Sequence, residues 1–335
     1  MGQTDSALRA KIILGSVLLT VWTLLTFLVL TQMPQFAGKQ RNVPGVGSTP
    51  KIEVVVTIPI LKDLVVRTCE QYVNVTSLVS DEVQLLSFQQ KPRDVVHIYK
   101  ADLLIKVGAG LDDWVDDITR DLDRSGLKIV DLSKNVGLLD REGKHIGTDA
   151  AAYPGLTDPY FWLDPGNVRE MVLAIQMDII SILPEAAKYL QHERMAYFAE
   201  LNSVESEVAT ELAPASSIKM VAGCNGMFYF ARRFNLSVVG RLDQMVPRIA
   251  QPDAARTLAR TLARNNVRII VLDPLSEQSF PGQLAELGGF KITLLASAVG
   301  LDPNANSCLA LMRHHARTLM GAVKSLQTTP AKSSD

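Results

Sequence analysis

Two aspartates six residues apart enclose an aromatic cluster in the stretch Asp158-Pro159-Tyr160-Phe161-Trp162-Leu163-Asp164-Pro165. Carboxylates in such a setting can serve as acid and base, hold a cation, or cap a helix. Hydrolysis would also need an activated nucleophile. No serine sits in a Gly-x-Ser-x-Gly elbow, and no histidine is placed to partner Asp158, Asp164 or Ser297, so the chain reads as a non-enzyme. Asp164 before Pro165 fits a helix amino-terminal cap with proline in the first turn, and Asp273-Pro274 has the same capping or turn-forming character. The three cysteines, Cys69, Cys224 and Cys308, are too widely spaced for a zinc cluster or a disulfide framework. Cys224-Asn225-Gly226 falls at an expected strand-to-helix turn. There a thiol is either buried and inert, the expected reading, or activated by the helix dipole.

The five histidines are scattered. His97 belongs to a first-lobe helix, His145 to a polar loop at Lys134–Tyr153, and His192 to a long helix. The rings of adjacent His314 and His315 diverge by about 100° on a helix and cannot easily share an ion. Both are expected at the surface. Gly108-Ala109-Gly110 lacks the third glycine of a dinucleotide fingerprint, and no Gly-x-x-x-x-Gly-Lys-Ser/Thr is present, so the chain is not a transport ATPase.

The 335 residues, 47% hydrophobic and 21% charged, can bury one large or two medium cores. With a formal net charge of -1 and only isolated basic pairs such as Arg232-Arg233, no nucleic-acid partner is expected. Ile12 to Leu30 is an uncharged run of 19 residues, which at about 1.5 Å per residue approaches the ~30 Å hydrocarbon thickness. Arg9 and Lys11 precede it and no basic residue follows before Lys39, which orients the amino terminus toward the cytoplasm. The expected order is a cytoplasmic segment 1–11, a retained anchor or uncleaved signal 12–33 and a Gly/Pro/Ser tether 34–51. The main domain then stands outside the cytoplasmic membrane, on the periplasmic side, held by one pass.

What must position the candidate groups is an alternation of β-branched runs and helical patterns, the signature of parallel α/β units. Strands are expected at 52–58, 73–79 and 101–107, with helices at 61–71 and 92–100, and the first lobe continues through 127–132. Pro184 to Leu212 reads as one long helix, with Leu201, Val204, Val208 and Leu212 at three- and four-residue spacing and Pro214 as its stop. Further strands are expected at 218–222, 237–240, 267–272 and 291–295, with helices at 226–234 and 252–265. The fold class is therefore α/β: an amino-terminal lobe 52–183, a connecting helix 184–213, a similar carboxyl-terminal lobe 214–326, and a disordered tail 327–335.

Several segments resemble the solute-binding proteins of zinc and manganese ABC importers. They are Ser87-Phe88-Gln89 with Pro92-Arg93-Asp94, Ala101-Asp102-Leu103, Gly108-Ala109-Gly110-Leu111-Asp112-Asp113-Trp114, Trp162-Leu163-Asp164-Pro165, Phe228-Tyr229-Phe230-Ala231, Asp273-Pro274 and Leu301-Asp302. The resemblance spans nearly all of 52–325. It implies two lobes on a rigid helix, with a metal ion held in the cleft between them and a permease as partner. Aligned to the family pattern, Leu86, Tyr160, Cys224 and Ser297 occupy the ligand positions, with Asp158 and Asn225 beside them in the cleft. None is the ligand the pattern requires. Leu86 cannot coordinate, Tyr160 and Ser297 are feeble donors at neutral pH, and one thiol cannot hold zinc against water. No metal or other cofactor is therefore expected, zinc and manganese included.

Tyr160 either packs with its hydroxyl bonded across the cleft or lines a pocket for an organic ligand. Two functions follow: a tethered solute-binding protein with altered or lost metal binding that serves an ABC permease, or a non-binding structural or regulatory subunit of a membrane complex. A partly polar cavity beside Tyr160 and Cys224 would favour the first, and side chains filling that gap the second.

Overall fold

The computed structural model describes residues 51–80, 88–89, 91–122, 124–150, 153, 155–245 and 253–328. The expected anchor and tether, and Leu86, lie outside the described residues. Among the described residues, no helix is long and apolar enough to cross a membrane.

The first lobe is built on a parallel sheet of β1 (Ile52–Val56), β2 (Val73–Ser77), β3 (Leu103–Lys106) and β4 (Lys128–Asp131), in the order β2-β1-β3-β4. Ile52, Val54, Val55 and Val56 of β1 are all buried, as expected for a central strand covered on both faces. The helices α1 (Pro59–Cys69), α2 (Pro92–Lys100) and α3 (Trp114–Asp121) follow β1, β2 and β3. The second lobe repeats the plan: β7 (Lys219–Gly223), β8 (Ser237–Arg241), β9 (Val267–Leu272) and β10 (Lys291–Leu294) lie in the order β10-β9-β7-β8. Relative to chain order this is the same winding, which makes the two lobes topological equivalents.

Between the sheets run α4 (Pro165–Ile182) and α5 (Ala187–Leu212). Asp164 caps α4 as its sequence suggested, accepting Gly166 N–H at 2.7 Å with Pro165 in the first turn. The connecting helix starts later than the pattern predicted. Leu183 leaves helical geometry and Pro184–Ala186 forms a separate 3-10 turn, so α5 begins at Ala187. One face of α5, carrying Leu190, Tyr197, Leu201, Val204, Val208 and Leu212, is buried against α1, α4 and the carboxyl-terminal helix α9 (Cys308–Thr328). That helix runs into the tail expected from 327. Its first N–H, from Cys308, is accepted at 2.8 Å by Asp63 of α1, 245 positions earlier in the chain.

A continuous apolar core joins the lobes, running from Ile52 and Val54 through Phe161, Trp162 and Leu201 to Phe230, Ile269 and Leu319. Two smaller cores flank it. One lies under α2 and α3, and the other under α7 (Ala254–Arg264) and α8 (Ser279–Gly288). The segment expected as a polar loop at Lys134–Tyr153 contains a short antiparallel pair, β5 (Leu138–Leu139) and β6 (His145–Gly147). Buried Leu138 and Leu139 pin it to the core.

Candidate functional site

The loop 158–164 of the first lobe meets the turn that leads from β7 into α6 (Met227–Arg233) of the second. Gly226 makes the contact possible. It sits at φ +73°, and a Cβ there would stand 2.6 Å from Leu163, 2.8 Å from the Tyr160 side chain and 3.0 Å from the Tyr160 carbonyl. Its N–H donates to Asp158 Oδ2 at 2.8 Å, while Tyr160 N–H donates to Oδ1 of the same carboxylate at 3.1 Å. The Tyr229 hydroxyl donates to Asp158 O at 3.0 Å and accepts Leu139 N–H at 2.7 Å. Trp162 Nε1–H donates across the seam to Ser297 O at 3.0 Å, and the Tyr160 and Trp162 rings lie 4.9 Å apart.

Tyr160, Cys224, Asn225, Ser297 and Asp158 are thus brought to one place. Leu86 cannot be placed because it lies outside the described residues. Tyr160, Cys224, Ser297 and Asp158 are all buried, between 1% and 5% exposed. Ser297 Oγ donates to Asp273 Oδ2 at 2.8 Å, with Asn225 O a longer acceptor at 3.4 Å, and Ser297 N–H reaches the same carboxylate at 3.2 Å. Asp273 Oδ1 accepts Leu275 N–H at 2.9 Å, the turn that Asp273-Pro274 suggested. Asn225 Oδ1 accepts from both terminal nitrogens of Arg241, at 3.3 and 3.4 Å. Arg241 is itself buried and forked onto Asp243 at 2.9 and 3.0 Å.

Burial dominates the electrostatics. It pushes the Asp158 carboxyl upward, against the pull of its two N–H donors and of Arg241 and Arg141. It also pushes the Cys224 thiol well above its ordinary range, and the nearby acids Asp273 and Asp158 push it further the same way. Cys224 is therefore the inert thiol of the two possibilities, and the start of α6 does not activate it. Among the described residues, no group of three or more His, Cys, Asp and Glu side chains is arranged to hold a metal ion. Asp158, Asp273 and Cys224 are neighbours, but both carboxylates are turned onto backbone N–H groups and a hydroxyl.

Three groups escaped the sequence reading. In the sequence Asp273 shows only as a turn former, and Arg241 carries no motif. His315 was expected at the surface but is 2% exposed. Its Nε2 bonds Ala296 O at 2.7 Å, next to Ser297, and its Nδ1 is buried without a hydrogen-bond partner. Desolvation lowers its pKa to about 4, so it is neutral at physiological pH with the proton on Nε2. The heptad-like apolar face of α9, with Leu311, Met312, Ala316 and Leu319 buried around it, was the available signal. His97, His145 and His192 are exposed, as a surface reading requires.

Two cavities lie elsewhere. One of about 1230 Å³ opens beside β3, β4 and α3, lined by Lys106, Trp114, Asp116, Asp131 and Tyr153 among others. One of about 440 Å³ lies between β8 and α7. Tyr160, Cys224, Asn225 and Ser297 line neither.

A family model described as zinc-uptake complex component A, periplasmic (ZnuA) matches residues 54–322. The chain is 21% identical over 258 residues to the high-affinity zinc uptake system protein ZnuA of Bacillus subtilis, covering 75% of this chain and 80% of that protein. It is 21% identical over 277 residues to the manganese-binding lipoprotein MntA of Halalkalibacterium halodurans, covering 81% and 88%. In fold it is similar to the cadmium-bound periplasmic metal-binding protein of Candidatus Liberibacter asiaticus, with a TM-score of 0.67, 17% identity, and coverage of 81% of this chain and 99% of that one.

Proposed function

The chain belongs to the ZnuA family of periplasmic zinc-uptake components, and on that premise we propose that it works as an extracytoplasmic solute-binding component beside a metal ABC permease, with the family's ion site altered. It is not an enzyme in this reading. The observation that carries the altered site is the commitment of Asp158 and Asp273. Each carboxylate is held by donors from the protein itself, and the aligned ligand positions offer only a phenol, a desolvated thiol and a hydroxyl. An ion entering here would have to break these bonds and recover its hydration energy from weak donors. Zinc or manganese is therefore not held tightly. A solute of this site would use hydroxyl or amide contacts instead. Attachment through the run Ile12–Leu30 is part of the same proposal.

Burial of Tyr160, Cys224 and Ser297 favours one other reading, a family member that has lost its cargo and serves a membrane complex as a structural or regulatory subunit. Native mass spectrometry with elemental analysis, on full-length protein extracted from its own membrane, separates the outcomes. Altered cargo predicts a bound organic solute and no zinc or manganese; lost cargo predicts neither. A stoichiometric transition metal in protein never exposed to added metal would refute both. Installing Leu86→His, Tyr160→His, Cys224→His and Ser297→Asp together is expected to create measurable zinc affinity by calorimetry.

A further inference from the structure

The sequence showed no basic stripe, yet α7 carries one. Its residues contain the tetrad Arg-Thr-Leu-Ala twice in succession, Arg256 to Ala259 and Arg260 to Ala263, followed by Arg264. A period of four on a helix of 3.6 residues per turn drifts only about 40° per repeat, so each residue type forms its own stripe. Leu258 and Leu262 are buried in the outer core of the second lobe. The arginines, about 200° away around the axis, point to solvent, and all three are exposed. They span about 12 Å. Among the described residues, Arg260 and Arg264 have no acidic partner, and Arg256 reaches Asp253 only at 4.0 Å. The helix Ala254–Arg264 contains no acid, in a chain whose net charge is -1.

The threonine stripe, Thr257 and Thr261, lines the cavity of about 440 Å³ together with Leu258, Leu262, Met245, Val239, Lys219 and Asn265. Val239 is 40% exposed and belongs to β8, the edge strand of its sheet. An apolar-floored hollow edged with hydroxyls therefore runs alongside three arginine side chains.

We propose that this face docks an acidic segment of a partner protein, one apolar side chain of which fills the hollow while its carboxylates pair with Arg256, Arg260 and Arg264. Charge complementarity fixes the sign, and guanidinium groups suit bidentate pairing with carboxylates. The concavity selects a protein over a bilayer. A flat anionic membrane would satisfy the arginines but offers nothing shaped to fill a hollow, and binding to it is favoured by protruding apolar groups. The chain's own neighbouring residues 246–252 contain Arg248 and no acid.

The test places the photo-crosslinking residue benzoylphenylalanine at Thr257 of the full-length chain in its own membrane and sequences the crosslinked peptides. The expected result is a protein segment carrying several Asp or Glu residues and an apolar anchor. Crosslinking should fall at least tenfold when Arg256→Gln, Arg260→Gln and Arg264→Gln are combined, and further with Arg260→Glu, with thermal unfolding unchanged. Crosslinks to lipid alone, to residues 246–252 alone, to segments without acids, or to nothing would overturn the proposal, as would undiminished yield in the triple variant.

Discussion

The seam between the lobes and the outer face of α7 treat polar groups in opposite ways. In the seam, Asp158, Asp273 and the Tyr229 hydroxyl each engage at least two groups of the protein itself. On α7, arginines stand in solvent beside an open hollow. A polar group can be used for cohesion or for recognition, and satisfying it internally removes it from recognition. In the seam the polar groups hold the lobes together, whereas the arginines of α7 face outward.

The largest effect that could break this contrast comes from Gly226→Ala. Positive φ and contact with the Tyr160 backbone leave the new methyl no room, so the loss is roughly 3 kcal/mol or more, or about 6 to 12 °C in Tm. A near-neutral result by calorimetry would mean the seam is looser than its packing implies. Tyr229→Phe leaves Leu139 N–H buried without an acceptor and is expected to cost roughly 2 kcal/mol in denaturant unfolding.

Acid titration sharpens the interior side. Asp112, fully buried and bonded by Thr57 Oγ1, Val107 N and Gly108 N, is raised by desolvation to about 6. The folded state then holds more protons than the unfolded one between about pH 4 and 6, so this group lowers stability as pH rises through that window. His315 acts with the opposite sign. Lowered from 6.5 to about 4, it contributes stability above pH 6.5 that is lost as pH falls toward 4. Each effect is worth roughly 3 kcal/mol when complete, so the two nearly cancel between about pH 4 and 6. Urea unfolding across this range should show stability falling more steeply with acid in Asp112→Asn, and rising with acid in His315→Gln. Parallel slopes in the two variants would count against both assignments. The smallest effect belongs to α7: the triple Arg→Gln variant should unfold within about 0.5 kcal/mol of the parent at any pH.

Much of the scaffold was legible in the chain. Helix α2 and strand β9 fall where the pattern put them, because Pro92 starts the one and a run of β-branched residues makes the other. The Asp164 cap was readable from two adjacent residues. The long helix α4 was visible only at its start, since it is buried on much of its circumference and has little amphipathic contrast. The gathering of Tyr160, Cys224 and Ser297 was legible and their bonding was not. That Tyr160, Cys224 and Ser297 gather could be inferred by resemblance. That Asp158 reaches Gly226, or that His315 turns inward onto Ala296, depends on contacts between elements far apart in sequence. The arginine stripe was missed for another reason: residues four apart look isolated on a line and adjacent on a cylinder.

The bond from Cys308 N–H to Asp63 ties α9 to α1, the last and the first helix among the described residues. A chain emerging in order from its amino terminus can form the β1–α1 unit early. It cannot complete the surroundings of α1, however, until some 245 further residues have been made and have folded back. The newborn protein therefore spends most of its synthesis with the face of α1 that receives α9 uncovered, and a truncation that removes α9 would leave that apolar face open to other chains and to proteases.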